Sequence, residues 1–230
     1  MAKTTAGLFD SPKSPFHFLG PVVLKEIESH VKVFQLKKKQ SVYQEGIKPS
    51  GLFYLRKGKV KISKSTDNGK EVILYIAKEN DLLGYISLVC NVEYRSSAEP
   101  IEDSEVVFFP KKLFFDLIKS NPDLSLRMMQ NFLREFDSTT DKLVDVVSKQ
   151  VRRRVAEMLV TLREAHGFER DNKTLNISLS RSDLAHLVAS NTETLVRILA
   201  EFKKEKIIVL KGKKIQITNP ALLEHVISIS

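Results

Sequence analysis

Two charged side chains four residues apart could recognise the edges of DNA bases. Glu193 and Arg197 have the spacing that places both groups on one face of a helix. An arginine can donate two hydrogen bonds to O6 and N7 of guanine, and a glutamate can accept one from N4 of cytosine. The same pair could instead form a surface ion pair, which contributes about 0.2–0.5 kcal/mol. Either interpretation requires a helix whose outer face meets solvent.

The surrounding segment, residues 180–202, predicts two short helices joined by a tight corner. Ser180 with Asp183, and Ser190 with Glu193, have the spacing of a capping box. In such a box a hydroxyl accepts from an amide near the helix start, and the acid three residues later returns the contact. Each helix therefore has its own predicted beginning.

The apolar residues of this segment fall where two packed helices need them. Ala185 and Ala189 are small, and we expect them where the helices approach most closely. The predicted packing face is formed by Leu184, Ala185, Val188, Leu195 and Ile198. The second helix then presents an outer face suited to reading bases in a major groove: Asn191, Thr192, Glu193, Val196 and Arg197.

A hairpin with a basic tip is predicted after the two helices. Apolar runs at residues 207–210 and 215–217 flank a Lys-Gly-Lys-Lys turn, a pattern typical of a wing beside a helix-turn-helix. Phosphate contacts fix the register on DNA but carry no sequence information. We assign this role to Ser182, Lys203, Lys204, Lys211 and Lys213.

The pattern of residues 41–109 is typical of an antiparallel β-barrel or jelly roll, with short apolar runs between Gly, Asn and Asp. Alternation predicts that Val60 and Ile62 face inward and that Lys59 and Lys61 face outward. The following strand is predicted to bury Val72, Leu74 and Ile76. The turn between these strands is predicted at Asp67, Asn68 and Gly69, since Asn-Gly favours a tight hairpin.

Both ends of this β region have helical or irregular patterns. Residues 1–20 carry Gly, Ser and Pro and predict an irregular arm. A short amphipathic helix is predicted after Pro21, with an apolar face of Val22, Val23, Ile27 and Val31. Another short helix, after Pro110, contains Leu113, Phe114, Leu117 and Ile118.

A long helix over residues 122–148 is predicted to carry one narrow seam. Its members recur every three or four positions, as in helices that pair along their length. The seam comprises Met129, Phe132, Phe136, Thr139, Leu143 and Val146. Packing against the chain's own barrel is the alternative. The narrow stripe, and the pairing that helix-turn-helix proteins use, favour a homodimer.

The order of these elements resembles the cyclic-AMP receptor protein/FNR (Crp/Fnr) family of bacterial transcription regulators. The resemblance covers residues 22–217 and rests on six short segments: 45–46, 51–58, 68–74, 81–84, 94–98 and 193–197. It implies an α+β fold with an N-terminal cyclic-nucleotide-binding-like β-barrel (jelly roll), a long dimerisation helix and a C-terminal winged helix-turn-helix. The implied boundaries are 1–20 for the arm, 21–121 for the effector domain, 122–148 for the dimerisation helix and 149–230 for the DNA-binding domain.

The resemblance places a possible effector pocket at Gly84, Tyr85, Arg95 and Ser96. In cyclic-AMP-binding members a glutamate follows this glycine and bonds the ribose hydroxyl, while an Arg-Ser pair holds the cyclic phosphate. Arg95 and Ser96 match that pair, and the arginine could hold an anion with two hydrogen bonds. Tyr85, however, stands at the glutamate position and offers no carboxylate. We therefore expect an effector other than cyclic AMP, of unknown identity, and no required cofactor; Arg95 could instead be a structural ion-pair partner.

Cysteine and histidine usage argues against metal chemistry. With Cys90 as the single cysteine, one chain can form neither an internal disulfide nor the cysteine-ligated iron–sulfur cluster of FNR-type members. Cys90 could be a redox-active thiol, but beside Val89 a small packing residue is the favoured interpretation. The histidines lack ligand spacing, so no metal site is expected.

The sequence also argues against an enzyme and against a membrane protein. It contains no nucleophile–base pair, no paired carboxylates and no Walker-type glycine loop, so we assign no catalytic residue. No run of about 18 apolar residues could span a bilayer, and residues 1–20 lack the apolar core of a signal peptide. We therefore expect a cytoplasmic protein with no membrane partner.

A net charge of +9 favours a polyanionic partner, and the elements above favour double-stranded DNA. The hypothesis is a homodimeric regulator on an inverted-repeat operator, with RNA polymerase as a further partner and residues 148–150 as a hinge that transmits effector binding. Thr192 replaces a base-reading arginine of the cyclic-AMP receptor, so the operator is expected to differ at that step. The alternative is a small-molecule-binding module that acts through protein partners and carries a vestigial winged helix.

Overall fold

The computed structural model describes residues 7–67 and 71–229, which form two compact units divided between Glu135 and Phe136. The helices of the first unit are α1 (Pro21–His30), α2 (Tyr85–Val89), α3 (Lys111–Ser120) and the start of α4 (Pro122–Ser148). Its strands are β1 (Lys32–Leu36), β2 (Gly51–Lys57), β3 (Val60–Ser65), β4 (Glu71–Ala77), β5 (Leu82–Leu83), β6 (Ser97–Pro100) and β7 (Ser104–Pro110). The predicted turn residues Asn68 and Gly69 lie outside the described residues.

The strands of the N-terminal unit form two antiparallel sheets. One has the order β1-β7-β2-β5 and the other β4-β3-β6. Between them lies a core to which both sheets contribute, including Leu55 and Val106 from the first and Val60, Ile62 and Ala98 from the second. This arrangement confirms the predicted jelly-roll-like β domain and the α+β class. Strand β1 and helix α2 were not predicted.

Strand β3 does not alternate between buried apolar and exposed basic residues as predicted. Lys59 and Lys61 are both buried, because β3 is the central strand of its sheet and neighbours cover both lysine stems. Their ammonium groups meet partly exposed carboxylates, since Lys59 pairs with Glu102 and Lys61 with Glu71, each at 2.8 Å. A long aliphatic stem allows a lysine to be buried while its charge stays paired near solvent.

The predicted inward face of β4 is also wrong. Ile73 and Ala77 are buried, whereas Leu74 is exposed. All of residues 72–77 are apolar or aromatic, so their alternation could not identify a face. The pairing with β3 contains an irregularity at Leu74, since Ile62 faces Tyr75 while Ser63 faces Ile73. The register, set by the sheet, decides which residues turn inward.

The irregular arm packs into the core of the N-terminal unit. Phe9 and Phe16 are almost fully buried, and the Phe16 ring stacks on Phe109 with centroids 4.9 Å apart. Leu124 of α4 belongs to the same core. The predicted helix α1 forms, but Val22 is exposed rather than part of its apolar face. The arm thus lacks regular secondary structure and still contributes buried aromatic surface.

The C-terminal unit contains the rest of α4 and the predicted winged helix-turn-helix. Its further elements are α5 (Val151–His166), α6 (Arg181–Leu187), α7 (Thr192–Lys204), β8 (Ile208–Lys211), β9 (Lys214–Ile217) and α8 (Pro220–Ile229). Helix α8, which was not predicted, packs on α5 and buries Leu223 and Val226. The observed bounds of α4 coincide with those predicted for the long helix.

Candidate nucleic-acid interface and effector site

The first helix of the candidate DNA-binding motif begins at the predicted capping box. The Ser180 hydroxyl oxygen accepts from the Asp183 amide at 3.0 Å, and the Ser180 amide donates to the Asp183 carboxylate at 3.0 Å. Two amide groups that a helix start would otherwise leave unpaired are thereby satisfied. Leu184 and Ala185 follow on the buried face, so the cap fixes which side of α6 meets the core.

The second helix begins differently from the prediction, which assigned its cap to Ser190 and Glu193. Asn191 is the N-cap, and its side-chain oxygen accepts from the Thr194 amide at 2.8 Å. The capping box at Ser190 is therefore wrong. Glu193 instead lies in the first turn of α7, where a negative charge is favoured by the helix dipole. The Asn191 oxygen is engaged in the cap, which leaves its NH₂ group to meet a nucleic acid.

The corner between α6 and α7 contains one residue in a left-handed conformation. Ala189 is exposed with a φ of 49°, so its predicted role in close helix packing is wrong. Ala185, the other small residue of that prediction, is fully buried. The turn requires a positive φ, and alanine has a smaller side chain to accommodate there than most residues.

Helix α7 presents the predicted outer face to solvent. Thr192, Glu193, Val196 and Arg197 are all exposed. The opposite face is buried in the C-terminal unit and comprises Leu195, Ile198, Leu199 and Phe202. This division of buried and exposed residues gives the helix one available face, and that face carries hydrogen-bonding groups with one apolar side chain between them.

The interpretation of Glu193 and Arg197 as a surface ion pair is wrong, because Arg197 pairs with a different carboxylate. Its Nη1 donates to Glu201 Oε1 at 2.9 Å, one turn further along the helix. Arg197 is two-thirds exposed, so this pair is weak in water. Glu201 also accepts from Arg152 at 2.9 Å and is thereby held in place. The guanidinium is positioned by this contact, and its exposure leaves it accessible from solvent.

The wing is attached to the helix-turn-helix through Arg181, which sequence reasoning missed. Its Nη2 donates to the backbone oxygen of Gly212, at the tip between β8 and β9, at 2.8 Å. Burial lowers the pKa of Arg181 from its ordinary value, although an arginine remains charged near neutral pH. Lys211 and Lys213 flank this tip and are exposed. The other predicted phosphate contacts, Ser182, Lys203 and Lys204, are exposed as well.

Arg154 of α5 connects the end of α4 with the corner of the helix-turn-helix. Its Nη1 donates to the backbone oxygens of Val146 at 3.1 Å and Lys149 at 2.7 Å. Its Nε donates to the Val188 oxygen at 3.0 Å, and its Nη2 to the Ala189 oxygen at 3.3 Å. One guanidinium thus satisfies carbonyls at two helix ends. Nothing in the local sequence signals this contact, because the corner lies more than 30 residues away along the chain.

The predicted hinge at residues 148–150 coincides with a break between two helices. Helix α4 ends at Ser148 and α5 begins at Val151. Lys149 lies in this break and pairs with Asp145 and with Glu157, each at 2.8 Å. These contacts and Arg154 give the break a defined geometry, and its role as a hinge stays a prediction.

The candidate effector site begins at Gly84, which caps α2 with a left-handed φ of 75°. A Cβ at this position would lie 2.7 Å from Cε1 of Tyr94, so the close approach of the ring requires glycine. Burial raises the pKa of Tyr94 to about 12, with Tyr43 adding to the shift. The Tyr94 hydroxyl donates to the backbone oxygen of Gly51 at 3.1 Å and is therefore part of the core.

Tyr85 follows Gly84 and contacts helix α4 of its own chain. Its ring stacks on Phe132, with centroids 4.2 Å apart and planes 6° from parallel. Its hydroxyl donates to the Glu135 carboxylate. Burial raises the pKa of Tyr85, and the neighbouring Glu135 raises it further, so the phenol stays neutral and remains a donor.

Tyr43 was missed by sequence reasoning, although it contacts Gly84 and Ser96 of the predicted effector pocket. Its ring stacks on Tyr94 with centroids 4.2 Å apart. Burial raises the pKa of Tyr43, and contacts with the Ser96 side chain and the Gly84 backbone offset part of that rise. An aromatic side chain thus adjoins Ser96, one of the two groups that the family resemblance assigned to a cyclic phosphate.

Two carboxyl groups add to the unfavourable surroundings for an anion. Burial raises the pKa of Asp81, and Glu135 raises it further, although hydrogen bonding and charge at Lys78 oppose the shift. Desolvation raises the pKa of Tyr75, although the residue is partly exposed. The neighbouring Tyr43, Glu135 and Asp81 raise the same pKa further. Tyr85 of the predicted pocket therefore lies near the phenol of Tyr75 and the carboxyl groups of Asp81 and Glu135.

Arg95, the predicted anion ligand, is exposed. It borders a shallow concavity of about 670 Å³, which it shares with Glu45, Lys48, Lys64 and Glu93. Among residues 7–67 and 71–229, no carboxylate forms an ion pair with Arg95, so the structural ion-pair alternative has no support there. Acids and bases alternate around this surface, and it offers a cyclic phosphate no enclosed cationic site.

The predicted seam of α4 is exposed except at one position. Phe132 is half-buried against Tyr85 of its own chain. The alternative to dimerisation, in which the whole seam packs within the chain, therefore holds at this one position. The other five members, Met129, Phe136, Thr139, Leu143 and Val146, are exposed. The helix also exposes four apolar residues that the prediction left out: Leu126, Leu133, Val144 and Val147. A long apolar surface on one helix favours burial against a partner.

The structure bears on the predicted absence of a metal site, on the role of Cys90 and on membrane-spanning helices. No group of three or more His, Cys, Asp or Glu side chains in the described part of the chain could hold a metal ion. Cys90 is exposed at the end of α2, so its predicted packing role is wrong. Within the described ranges, every helix is too short or too polar to cross a bilayer.

A nucleotide-binding-type β domain, a long helix and a winged helix-turn-helix together define a ligand-regulated DNA-binding protein. Comparison with known families supports this class, since a cyclic nucleotide-binding domain matches residues 33–121 and a Crp-like helix-turn-helix domain matches residues 153–226. The chain belongs to the Crp/Fnr family of transcription regulators. Its function is thus regulation of transcription through DNA binding and not enzymatic catalysis.

One curated relative and two solved structures illustrate what this chain is similar to. The cAMP-activated global transcriptional regulator CRP of Salmonella typhimurium is 27% identical over 188 residues, which cover 81% of this chain and 90% of the relative. The structure of FixK2 from Bradyrhizobium japonicum has a TM-score of 0.75 at 19% identity, covering 85% and 96% of the two chains. The c-di-GMP responsive regulator CLP of Xanthomonas campestris has a TM-score of 0.72 at 17% identity, covering 86% and 99%. The two structures support the fold alone.

Proposed function

We propose that this protein is a homodimer that binds an inverted-repeat operator and responds to a small ligand or signal other than cyclic AMP. The observation that carries the DNA-binding part is the exposed face of α7. Glu193, Val196 and Arg197 project from a helix whose other face is buried and whose start is capped by Asn191. RNA polymerase is a further proposed partner, implied by family membership.

The proposed base contacts follow from side-chain chemistry. Arg197 donates to O6 and N7 of guanine, Glu193 accepts from N4 of cytosine, and Val196 contacts the methyl group of thymine. Thr192 and the free amide of Asn191 contact a base or a phosphate at the edge of the same site. The lysines of the wing and of the end of α7 contact phosphates and set the salt dependence of binding.

Pairing of two protomers gives this arrangement its operator geometry. Two recognition helices related by twofold symmetry meet major-groove faces about 34 Å apart, which requires an inverted repeat. We propose that the exposed apolar surface of α4 forms the dimer contact. Removing such a surface from water favours association, and the affinity is what remains after the entropic and ordering costs of pairing.

Selective binding to DNA is the first test of this proposal. The purified protein should retard genomic promoter fragments at concentrations that leave random fragments of equal length unbound. The separation should persist at about 0.15 M salt, where non-specific phosphate contacts are weakened. Equal retardation of both fragments would favour the alternative, a regulatory module that acts through protein partners and has a vestigial winged helix.

The effector proposal is supported by the surroundings of Tyr85. In place of a carboxylate for ribose hydroxyls, the chain has a phenol that is already bonded to Glu135 and stacked on Phe132. Tyr43 adjoins Ser96, and Arg95 lies on an open surface. Asp81 and Glu135 would repel a cyclic phosphate whenever they are ionised.

We therefore expect no cyclic-AMP binding in a calorimetric titration. Nucleotide concentrations up to about 1 mM, which corresponds to a binding free energy of only about 4 kcal/mol, should give no saturable heat. The same preparation should still bind promoter DNA selectively, which serves as the control for folding. Saturable binding of one cyclic AMP per chain at micromolar concentration would disprove this part of the proposal. If cyclic AMP does not bind, native mass spectrometry of the purified protein identifies any other small molecule that remains bound.

A further inference from the structure

A cavity of about 240 Å³ separates the N-terminal arm from helix α4, within the N-terminal unit. We propose that it binds a phosphate-type oxyanion, at a site distinct from the effector site around Tyr85. The polar side chains that border the cavity are Lys13, His17, Arg127, Gln130, Asn131 and Arg134. This inference does not depend on how the protein contacts DNA.

The charge of the cavity is the first argument. Lys13, Arg127 and Arg134 are basic, His17 adds an imidazole, and none of the bordering residues is acidic. In the part of the chain that the structure describes, no carboxylate forms an ion pair with any of the three basic side chains. Concave surfaces with charges of one sign concentrate counter-ions. An anion would therefore gain from entering.

The second argument is that several of these groups are already held in place. The Arg127 guanidinium lies over the Phe18 ring, 4.4 Å from its centroid. Arg134 Nη1 donates to the Asn131 side-chain oxygen at 3.0 Å. Fixed donors lose little conformational freedom when a ligand binds, so less of the binding free energy is spent on ordering them.

The arm itself is a firm wall of the cavity. Phe16 and Ser14 are almost completely buried, and the Ser14 hydroxyl accepts from the Phe16 amide at 3.3 Å. His17 Nδ1 is 2.7 Å from the Ser14 backbone oxygen, a contact in which the ring nitrogen must donate. This bond fixes the imidazole ring. The arm therefore presents Lys13 and His17 from a defined backbone rather than from a loose terminus.

The size and donor set define the class of ligand. Two arginines can each give paired hydrogen bonds to an oxyanion, and the lysine adds a point charge. The volume of about 240 Å³ has room for an inorganic phosphate or the phosphate group of a small monoester. A cation is excluded by the charge. Such an anion would bridge the arm to α4, since Lys13 and His17 belong to one and Arg127 and Arg134 to the other.

The test is a calorimetric titration with inorganic phosphate at constant ionic strength, with chloride as the balancing anion. A parallel titration with phosphoserine distinguishes free phosphate from a phosphate monoester as the preferred source. We expect saturable binding of one anion per chain in at least one of the two titrations. Thermal unfolding with the same anion should shift to higher temperature, because ligands that bind the folded state stabilise it.

Variants locate the site. The double substitution Arg127→Gln/Arg134→Gln should weaken binding by about tenfold or more, as expected for the loss of charge-assisted hydrogen bonds. Lys25→Gln, which removes an exposed cation of α1 outside the cavity, should leave the affinity unchanged. Lys13→Gln tests the arm independently should the double variant fold poorly. The proposal is overturned if neither anion binds saturably below about 10 mM, or if the arginine and lysine variants bind as the unmodified protein does.

Discussion

Replacing Phe136 with glutamate will convert the proposed dimer into monomers at concentrations where the unmodified protein is paired. Phe136 is 71% exposed on α4 and belongs to the predicted seam. It also adjoins Leu133, an exposed apolar residue that the seam prediction left out. Phe136 therefore belongs to the proposed contact whether that contact is formed by the predicted seam or by all the exposed apolar residues of α4.

The size of this effect follows from the cost of burying charge. A glutamate in the interface would be desolvated, and the twofold axis would bring its symmetry mate close to it. Such a change costs several kcal/mol, and about 1.4 kcal/mol is a factor of ten in affinity, so the dimer dissociation constant should rise at least about 100-fold. Sedimentation equilibrium over a concentration series measures this constant directly.

Ser138→Glu is the matched control for Phe136→Glu. Ser138 is exposed on the same helix but lies outside the predicted seam. The glutamate of Ser138→Glu therefore adds an equal charge to the helix without entering the proposed contact. The control should remain dimeric and should bind DNA normally. If Phe136→Glu dimerises as tightly as Ser138→Glu, the apolar surface of α4 is not the dimer interface.

Replacing Arg197 with alanine will weaken binding to the operator by about 1–3 kcal/mol and relax the preference at one base pair. The guanidinium is the group on the exposed face of α7 that can give two hydrogen bonds to guanine. Fluorescence anisotropy with the operator and with single-base variants of it, all at one salt concentration, measures both effects. The variant should distinguish the original base from its substitutes less than the unmodified protein does.

Two further variants separate base reading from other roles of Arg197. Glu201→Gln removes the ion pair at 2.9 Å but leaves the guanidinium, and it should retain most of the sequence preference. Lys203→Ala removes a proposed phosphate contact, so it should weaken all sequences alike and reduce the salt dependence by about one counterion. If Arg197→Ala also weakens operator and random DNA by the same factor, Arg197 contacts only a phosphate.

Features that arise within a few residues were predictable from the sequence. The box at Ser180 and Asp183 closes over three residues, so its residue types and spacing suffice to specify it. The bounds of α4 follow from Pro122 and an uninterrupted helical pattern. The misplaced cap at Ser190 shows the limit of local reasoning, because Asn191 next to it is an equally good capping residue and the corner geometry selects it.

The outer face of α7 and the family resemblance were likewise accessible from the sequence. The apolar spacing of Leu195 and Ile198 determines which side of that helix is buried, and Glu193 and Arg197 follow on the other side. Tyr85 could be identified as a departure from the cyclic-AMP-binding pattern, because its position relative to Gly84 is local. The sequence could not reveal the hydrogen bond of Tyr85 to Glu135 or its stacking on Phe132, because these contacts join residues about 50 positions apart.

Only the tertiary structure decided which distant groups meet. Strand register determined that Ile73 rather than Leu74 is buried, because both are apolar and local alternation favours neither. Arg154 and Arg181 each donate to backbone oxygens more than 30 residues away, and their own neighbours in the chain carry no trace of those contacts. Hydrogen bonds within a helix turn are determined by spacing, whereas contacts between elements depend on how whole faces pack. The sequence thus determined the proposed DNA-reading surface, and the packing decided how it is attached and what surrounds the candidate effector site.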